Sequence, residues 1–172
     1  MPRHFRFYLG LLRLVPKLIA WRYGWISAQD GKILVLKHFY KNKTKNQLEG
    51  WGSTFCETIV PKILFKESLP TIQRYQAEGH EVAVVTASLG IWIAPFCEKI
   101  GVNLICTKLA FENGVFKGKL ATKNCNFKEK PRRVKAIYDL SQYDEIIAYG
   151  NSKGDKAMLE MADVGYFRAF SV

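Results

Sequence analysis

Three short polar clusters follow apolar segments of this chain, and their side chains are of kinds that hold anions and metal ions. The first is Thr86-Ala87-Ser88, the second is Lys130 with the turn before it, and the third covers residues 151–155. A hydroxyl or an ammonium donates hydrogen bonds to an anion, whereas amide and carboxylate oxygens suit Mg²⁺. If the clusters converge, the sequence predicts one site for an anion and its metal.

The elements around these clusters alternate between strand and helix patterns. Short apolar runs predict strands at 82–85, 102–107, 145–149 and 164–167. Helices are predicted at 68–78, 91–100, 130–138 and 155–162, and Asn113-Gly114 predicts a hairpin within 109–119. Such alternation indicates an α/β fold with a parallel sheet, in which ligands bind at the carboxyl ends of the strands. We therefore expect the three clusters to meet at one edge of the sheet.

Composition limits the class of protein. The chain has 172 residues and is 48% hydrophobic, which suits one α/β domain or a small core with a cap. The four cysteines, at 56, 97, 106 and 125, match no CxxC pattern. Reduced, structural thiols in the cytoplasm are the expected interpretation.

The net charge of +11 predicts an affinity for anions, whether phosphorylated small molecules, acidic lipids or nucleic acid. No nucleic-acid-binding motif supports the last of these, and a basic surface exposed to solvent explains the charge equally well. Residues 5–26 are apolar and aromatic but are interrupted by charges, so they favour peripheral membrane contact or packing on a core over a spanning helix.

The ordered motifs resemble those of the haloacid dehalogenase (HAD) superfamily. The sequences VAVVTAS at 82–88, FKEKPRR at 127–133 and IIAYGNSKGDKAML at 146–159 are similar to its second, third and fourth motifs. Residues 104–125 resemble the insertion of the phosphoserine-phosphatase-like branch, subfamily IB, and within it the phosphatidylglycerophosphatase-C-like hydrolases. The resemblance implies a Rossmann-like core, assigned to residues 66–172, and an α-helical cap, assigned to residues 1–65.

The same resemblance implies roles for the polar clusters. Thr86 and Lys130 are the expected catalytic residues, and they bind phosphate together with Ala87 and Ser88. Phosphoryl transfer needs charge neutralised on the phosphate oxygens, which a hydroxyl and a fixed ammonium supply. Ser88 can instead cap the following helix, and Lys130 can be one of several surface lysines.

Asn151 and Asp155 are the residues that the resemblance places at a Mg²⁺ ion. Asn151 stands where the family usually has a second aspartate, so the expected site has one negative charge fewer and a weaker affinity for the metal. Asp155 can also serve as an acidic residue at a helix N-terminus.

The family's first motif, an apolar strand ending in Asp-x-Asp-x-Thr, is not found in this sequence. The aspartates are Asp30, Asp139, Asp144, Asp155 and Asp163. Asp30 follows no buried strand and has no second aspartate at the right spacing. We therefore expect a sheet whose first core strand, with its nucleophile, is missing from an N-terminally truncated chain.

Two functions remain as hypotheses. The first is a Mg²⁺-dependent phosphatase that acts on a phosphomonoester, with a lipid or other amphiphilic phosphate as one candidate. It would act in the cytoplasm or at the periphery of the inner membrane. The second is an inactive or truncated HAD scaffold that binds anions or a partner.

Overall fold

A computed structural model describes residues 15–16, 19–20 and 23–170, which form two compact units. One unit extends to Leu48 and includes Leu109–Lys123, and the other comprises Glu49–Lys108 and the chain from Asn124. The sequence-based boundary between residues 65 and 66 stays a prediction, because these units concern packing and do not test a cap. Most of residues 5–26, with the predicted membrane contact, lies outside the described residues.

The first unit combines a helix with a β-hairpin. Helix α1 (Ala28–Tyr40) begins at Ser27, whose side chain accepts a hydrogen bond from the Asp30 amide. Strands β3 (Leu109–Glu112) and β4 (Val115–Leu120) are antiparallel. Their turn has positive φ at Asn113 (50°) and Gly114 (73°), which is the backbone that an Asn-Gly hairpin favours. The predicted hairpin is therefore confirmed.

The second unit contains the predicted α/β alternation. Helix α2 spans Lys45–Thr58, and the unit boundary falls after Leu48. The elements that follow it are α3 (Val60–Ile63), α4 (Ser68–Ala77), β1 (Ala83–Leu89), α5 (Gly90–Lys99), β2 (Asn103–Thr107), α6 (Glu129–Ile137), β5 (Ile147–Gly150), α7 (Lys156–Leu159) and β6 (Val164–Phe167). Two 3₁₀ turns, Leu140–Gln142 and Lys153–Asp155, precede β5 and α7.

The strands of this unit form two separate parallel ribbons, β1–β2 and β5–β6. The Val82 carbonyl oxygen accepts from the Asn103 amide, and the Ile146 carbonyl oxygen accepts from the Val164 amide. Because backbone groups alternate in direction along a strand, Ala83 and Val85 face away from β2, and Ile147 and Tyr149 face away from β6. No described strand pairs with these two edges.

Strand β1 is longer than the apolar run predicts. It continues through Thr86-Ala87-Ser88 to Leu89, but its pairing shifts, so that Val85 lies opposite Ile105 and Leu89 opposite Thr107. Between these two pairs lie three residues of β1 but only one of β2, so the polar cluster forms an irregular segment.

Two further properties concern the whole described chain. Within residues 15–16, 19–20 and 23–170, no helix has the length and apolar character to cross a membrane. The four cysteines are buried and form no disulfide, which agrees with structural thiols.

Candidate functional site

A buried ion pair between Lys130 and Asp155 is the centre of the candidate site. Lys130 Nζ lies 2.7 Å from Asp155 Oδ1 and donates a second hydrogen bond, of 2.6 Å, to the Val85 carbonyl oxygen. The two residues are only 6% and 7% exposed, and a buried charge needs a partner. An ammonium has three N–H donors. Two have these partners, so one can serve an added anion.

The second carboxylate oxygen of Asp155 organises the loop after β5. It accepts hydrogen bonds from the backbone amides of Asn151 (3.1 Å) and Ser152 (2.9 Å) and from the Ser152 hydroxyl (2.7 Å). Burial acts to raise the pKa of Asp155, but the hydrogen bonds from Lys130 and Ser152 outweigh it and lower the pKa below its ordinary value. Asp155 is therefore ionised at neutral pH and fixed in direction.

A tight turn presents Lys130 at the start of α6. The Phe127 amide donates to the Gly154 carbonyl oxygen at 3.0 Å, and Phe127 has φ of 50°. A Cβ on Gly154 would lie 2.0 Å from Asn126 Oδ1, so any larger residue here would force the Asn126 side chain to move. The turn that carries Lys130 is thereby bound to the turn that carries Asp155.

An ion-pair network fixes the other side of α6. Glu129 accepts hydrogen bonds from Arg132 and Arg133, and Arg133 also donates to the Cys106 carbonyl oxygen at the end of β2. The hydrogen bond from Arg132 is the main cause that lowers the pKa of Glu129, to about 2, although burial opposes it. Arg133 thus attaches α6 to β2, three residues after Lys130.

The Thr86-Ala87-Ser88 segment begins directly after Val85, the residue that accepts from Lys130. The Thr86 hydroxyl oxygen accepts from the Ser88 amide at 3.1 Å, which leaves its own proton available to a ligand. Ser88 is exposed. This bond makes Thr86-Ser88 a compact turn at the carboxyl end of the regular part of β1.

The metal donors are only partly assembled. In the described part of the chain, no group of three or more His, Cys, Asp or Glu residues is placed to hold a metal ion. Asp155 Oδ1 is paired with Lys130, and Asn151 is an exposed residue. A carboxylate and an amide fit Mg²⁺ as part of a six-oxygen set that phosphate, water and a further carboxylate complete.

Of the predicted site residues, the structure joins Lys130 directly to Asp155, and joins Asn151 to Asp155 through the backbone. Thr86, Ala87 and Ser88 follow Val85, whose carbonyl oxygen accepts the hydrogen bond from Lys130, so the chain of β1 links them to the ion pair. Sequence reasoning did not select Ser152, Gly154 or Thr107. Ser152 could have been found, because Ser-x-x-Asp is a capping pattern.

A family model and a relative from a bacterium each match most of this chain. The family model of haloacid dehalogenase-like hydrolases matches residues 3–160. Protein CicA of Caulobacter vibrioides is 31% identical over 169 residues, which cover 96% of this chain and 74% of that protein.

Among solved structures, a protein of unknown function from Bordetella pertussis Tohama I has a TM-score of 0.76 at 21% identity, covering 87% of this chain and 70% of that one. A probable phosphoserine phosphatase from Vibrio cholerae has a TM-score of 0.69 at 18% identity, covering 90% of this chain and 46% of that one. These structures share the fold. With a family model that matches most of its length and a relative at 31% identity, the chain belongs to the haloacid dehalogenase-like hydrolase family.

Proposed function

We propose that this chain carries the phosphate- and metal-binding half of a Mg²⁺-dependent phosphomonoester hydrolase. The observation that carries the proposal is the Lys130 ammonium, which is buried, is paired with Asp155 and keeps one N–H donor for an anionic oxygen. A phosphate needs such a fixed positive charge, because catalysis of phosphoryl transfer depends mainly on positioning and electrostatic stabilisation. The family supplies the hydrolase chemistry, and the site suggests the phosphoryl substrate.

Within this proposal, Thr86, Ala87, Ser88 and Lys130 hold the phosphate. The Thr86 hydroxyl donates its proton to one phosphate oxygen, and Lys130 donates its remaining N–H to another. The bend of β1 at Thr86-Ser88 turns the segment out of the regular ladder, so this turn is separated from the regular β1–β2 pairing. Lys130 and Thr86 thus neutralise charge on the oxygens that remain on phosphorus.

Asn151 and Asp155 would hold the magnesium ion. When bound, the ion would neutralise further charge on the transferred group. The protein's own contribution is to fix the direction of the carboxylate, which the three donors from Asn151 and Ser152 provide at the second Asp155 oxygen.

The nucleophile in this proposal lies on an extended segment between the free edges of β1 and β5. Asp155 is unsuited to attack, because Lys130 and three further donors engage its carboxylate. An aspartate on the added strand would bond to phosphorus as the ester P–O bond breaks. A second aspartate would protonate the leaving alcohol, and water would then release phosphate.

An amphiphilic phosphate is the substrate class we favour. Tyr23 and Trp25, which end the aromatic segment predicted to contact membranes, are 71% and 80% exposed. Exposed aromatic residues on a chain with a net positive charge suit the headgroup region of a membrane. Vesicle co-sedimentation with and without anionic lipid, comparing the chain with Trp25→Ser, measures this contact separately from hydrolysis.

The test of the function is a fusion. An apolar strand ending in Asp-x-Asp-Gly-Thr is joined through a flexible linker to Met1, and hydrolysis of p-nitrophenyl phosphate is measured with Mg²⁺. We expect turnover that is lost when the first added aspartate becomes asparagine and when Lys130 becomes methionine. Turnover that survives Lys130→Met contradicts the proposed role of the site.

The second candidate function is an anion-binding scaffold without turnover. The observation that favours it is the lack, within the described residues, of a carboxylate cluster placed to hold a metal ion. Two results together would establish this alternative. The unmodified chain would bind phosphate, and the fusion would fold and bind phosphate equally well but show no turnover.

A further inference from the structure

Thr107 is a polar residue with no solvent exposure, and it stands outside the proposed phosphate and metal residues. It ends β2, and its exposed fraction is 0%. Burying a hydroxyl costs free energy unless hydrogen bonds replace those with water. The bonds that Thr107 makes therefore indicate why a threonine occupies this position.

The first bond fastens the irregular segment of β1. The Thr107 hydroxyl donates to the Ala87 carbonyl oxygen at 2.9 Å. Ala87 lies between the pairs Val85–Ile105 and Leu89–Thr107, where the regular parallel ladder is interrupted. The Thr107 side chain thus holds the irregular segment of β1 at the point where the regular β1–β2 pairing is interrupted.

The second bond reaches the turn that precedes α6. The Thr107 Oγ1 atom accepts from the Cys125 amide at 3.0 Å, and it also lies 3.3 Å from Asn124 Oδ1. Residues 125–127 follow directly, and the Phe127 amide donates to the Gly154 carbonyl oxygen. Thr107 is therefore bonded to both β1 and the turn that presents Lys130.

These contacts close a ring. It runs from Ala87 through Thr107 to residues 125–127, across to Gly154 and Asp155, through Lys130 and back to Val85 on β1. Both ends of the ring lie on one strand, two residues apart. A shift at any link changes the separation between the Thr86-Ser88 turn and the Lys130–Asp155 pair.

We propose that Thr107 is a positioning residue, whose hydroxyl sets the Thr86-Ser88 turn in register with the turns that carry Lys130 and Asp155. Its meaning for catalysis rests on the proposed function, but the positioning itself is a property of the fold. Replacing the hydroxyl with a methyl group of similar size leaves the Ala87 carbonyl and the Cys125 amide without this partner. The ring then opens at its most buried link.

Residue-resolved amide hydrogen exchange of the full chain tests this proposal without requiring activity. For Thr107→Val we expect protection to fall by on the order of tenfold or more at Cys125, Phe127 and Lys130, as expected when a buried hydrogen bond is lost. A smaller fall should reach Asn151 and Ser152, whose amides donate to Asp155. Thr107→Ser keeps the hydroxyl and should remain within about twofold of the wild type.

A loss of protection spread evenly over the β1–β2 ribbon and the turns would show a purely structural role and overturn the proposal. So would a Ser variant that behaves like the Val variant, or unchanged exchange at Asn151 and Ser152. If Thr107→Val does not fold, Gly154→Ala disturbs the ring at its opposite side, where an added Cβ would meet the side chain of Asn126 next to the Phe127–Gly154 hydrogen bond. That variant should also lower protection at Cys125, and a wild-type rate there contradicts the ring. Because exchange requires no substrate, an inactive fusion leaves this result unaffected.

Discussion

The hairpin β3–β4 and the two parallel ribbons are built from strands of similar length, but they differ in which strand edges are paired. The hairpin pairs neighbouring segments through an Asn-Gly turn. Strands β1 and β5 instead each have one paired edge and one edge without a described strand. The candidate site lies at that second kind of edge. Local pairing thus produces a complete hairpin, whereas the parallel ribbons place charged side chains at edges that no described strand covers.

The largest expected effect comes from removing the Lys130 charge. Lys130→Met leaves the Asp155 carboxylate buried without its cation, which should lower the free energy of unfolding by about 3–5 kcal/mol. The control is Lys119→Met in the hairpin, where the pair with Glu112 is exposed and 3.7 Å long. That change should cost less than about 1 kcal/mol. Urea denaturation measures the free energy of unfolding of both variants. An equal loss in the two would show that the buried pair stabilises the fold no more than the exposed pair of the hairpin.

A medium effect is expected where the two turns of the site approach each other. Gly154→Ala places a Cβ 2.0 Å from Asn126 Oδ1, and such overpacking should cost about 1–3 kcal/mol. Gly114→Ala in the hairpin meets nothing within 4 Å but has φ of 73°, so its cost should be about 1 kcal/mol, from backbone strain. Thermal unfolding ranks the two variants. A more stable Gly154→Ala protein would mean that the turns are not in tight contact.

Asn151→Asp should strengthen Mg²⁺ binding by roughly tenfold, because a second carboxylate adds the negative charge that the ion prefers. Asn113→Asp adds the same charge to the hairpin, which contributes none of the proposed metal residues, and asparagine and aspartate both tolerate positive φ. Isothermal titration with Mg²⁺, reversed by chelation, compares the variants. Equal affinities of the wild type and Asn151→Asp would exclude Asn151 from the metal site.

The smallest effect concerns acid. The pKa of Glu129 is lowered to about 2 and that of Asp155 is also lowered, so the stability they contribute is present above about pH 4 and is lost as pH falls toward 2. Glu129→Gln should therefore lose less stability than the wild type on going from pH 5 to pH 2.5. Glu112→Gln, in the exposed hairpin pair, should change that difference little. The fall in melting temperature from pH 5 to pH 2.5 measures this loss in the wild type and both variants. An equal fall in all three proteins would contradict the role of Glu129.

The sequence predicts the fold where the signal is local. The strand at 164–167 and the Asn113-Gly114 turn agree with the structure, because apolar runs and turn residues act over a few positions. The continuation of β1 through Ser88 was not predicted, because its pairing depends on β2 and on the Thr107 side chain.

The same distinction applies to the site. Lys130 and Asp155 were selected from spacing and resemblance, but their direct ion pair and the Val85 carbonyl contact depend on long-range geometry. Thr107 had no signal of its own, because one threonine at the end of a strand resembles any other. Its role is visible only through its complete burial and its hydrogen bonds to Ala87 and Cys125.

The central claim is that Lys130 and the Thr86-Ser88 turn hold one phosphate between them. Titration of the ¹⁵N-labelled chain with inorganic phosphate and Mg²⁺, followed by amide and lysine side-chain NMR signals, measures this directly. The account predicts saturable shifts at Thr86, Ala87, Ser88 and Lys130 with a single dissociation constant, and no shifts at the same backbone positions in Lys130→Met. Shifts confined to exposed lysines, or unchanged binding in that variant, would contradict it.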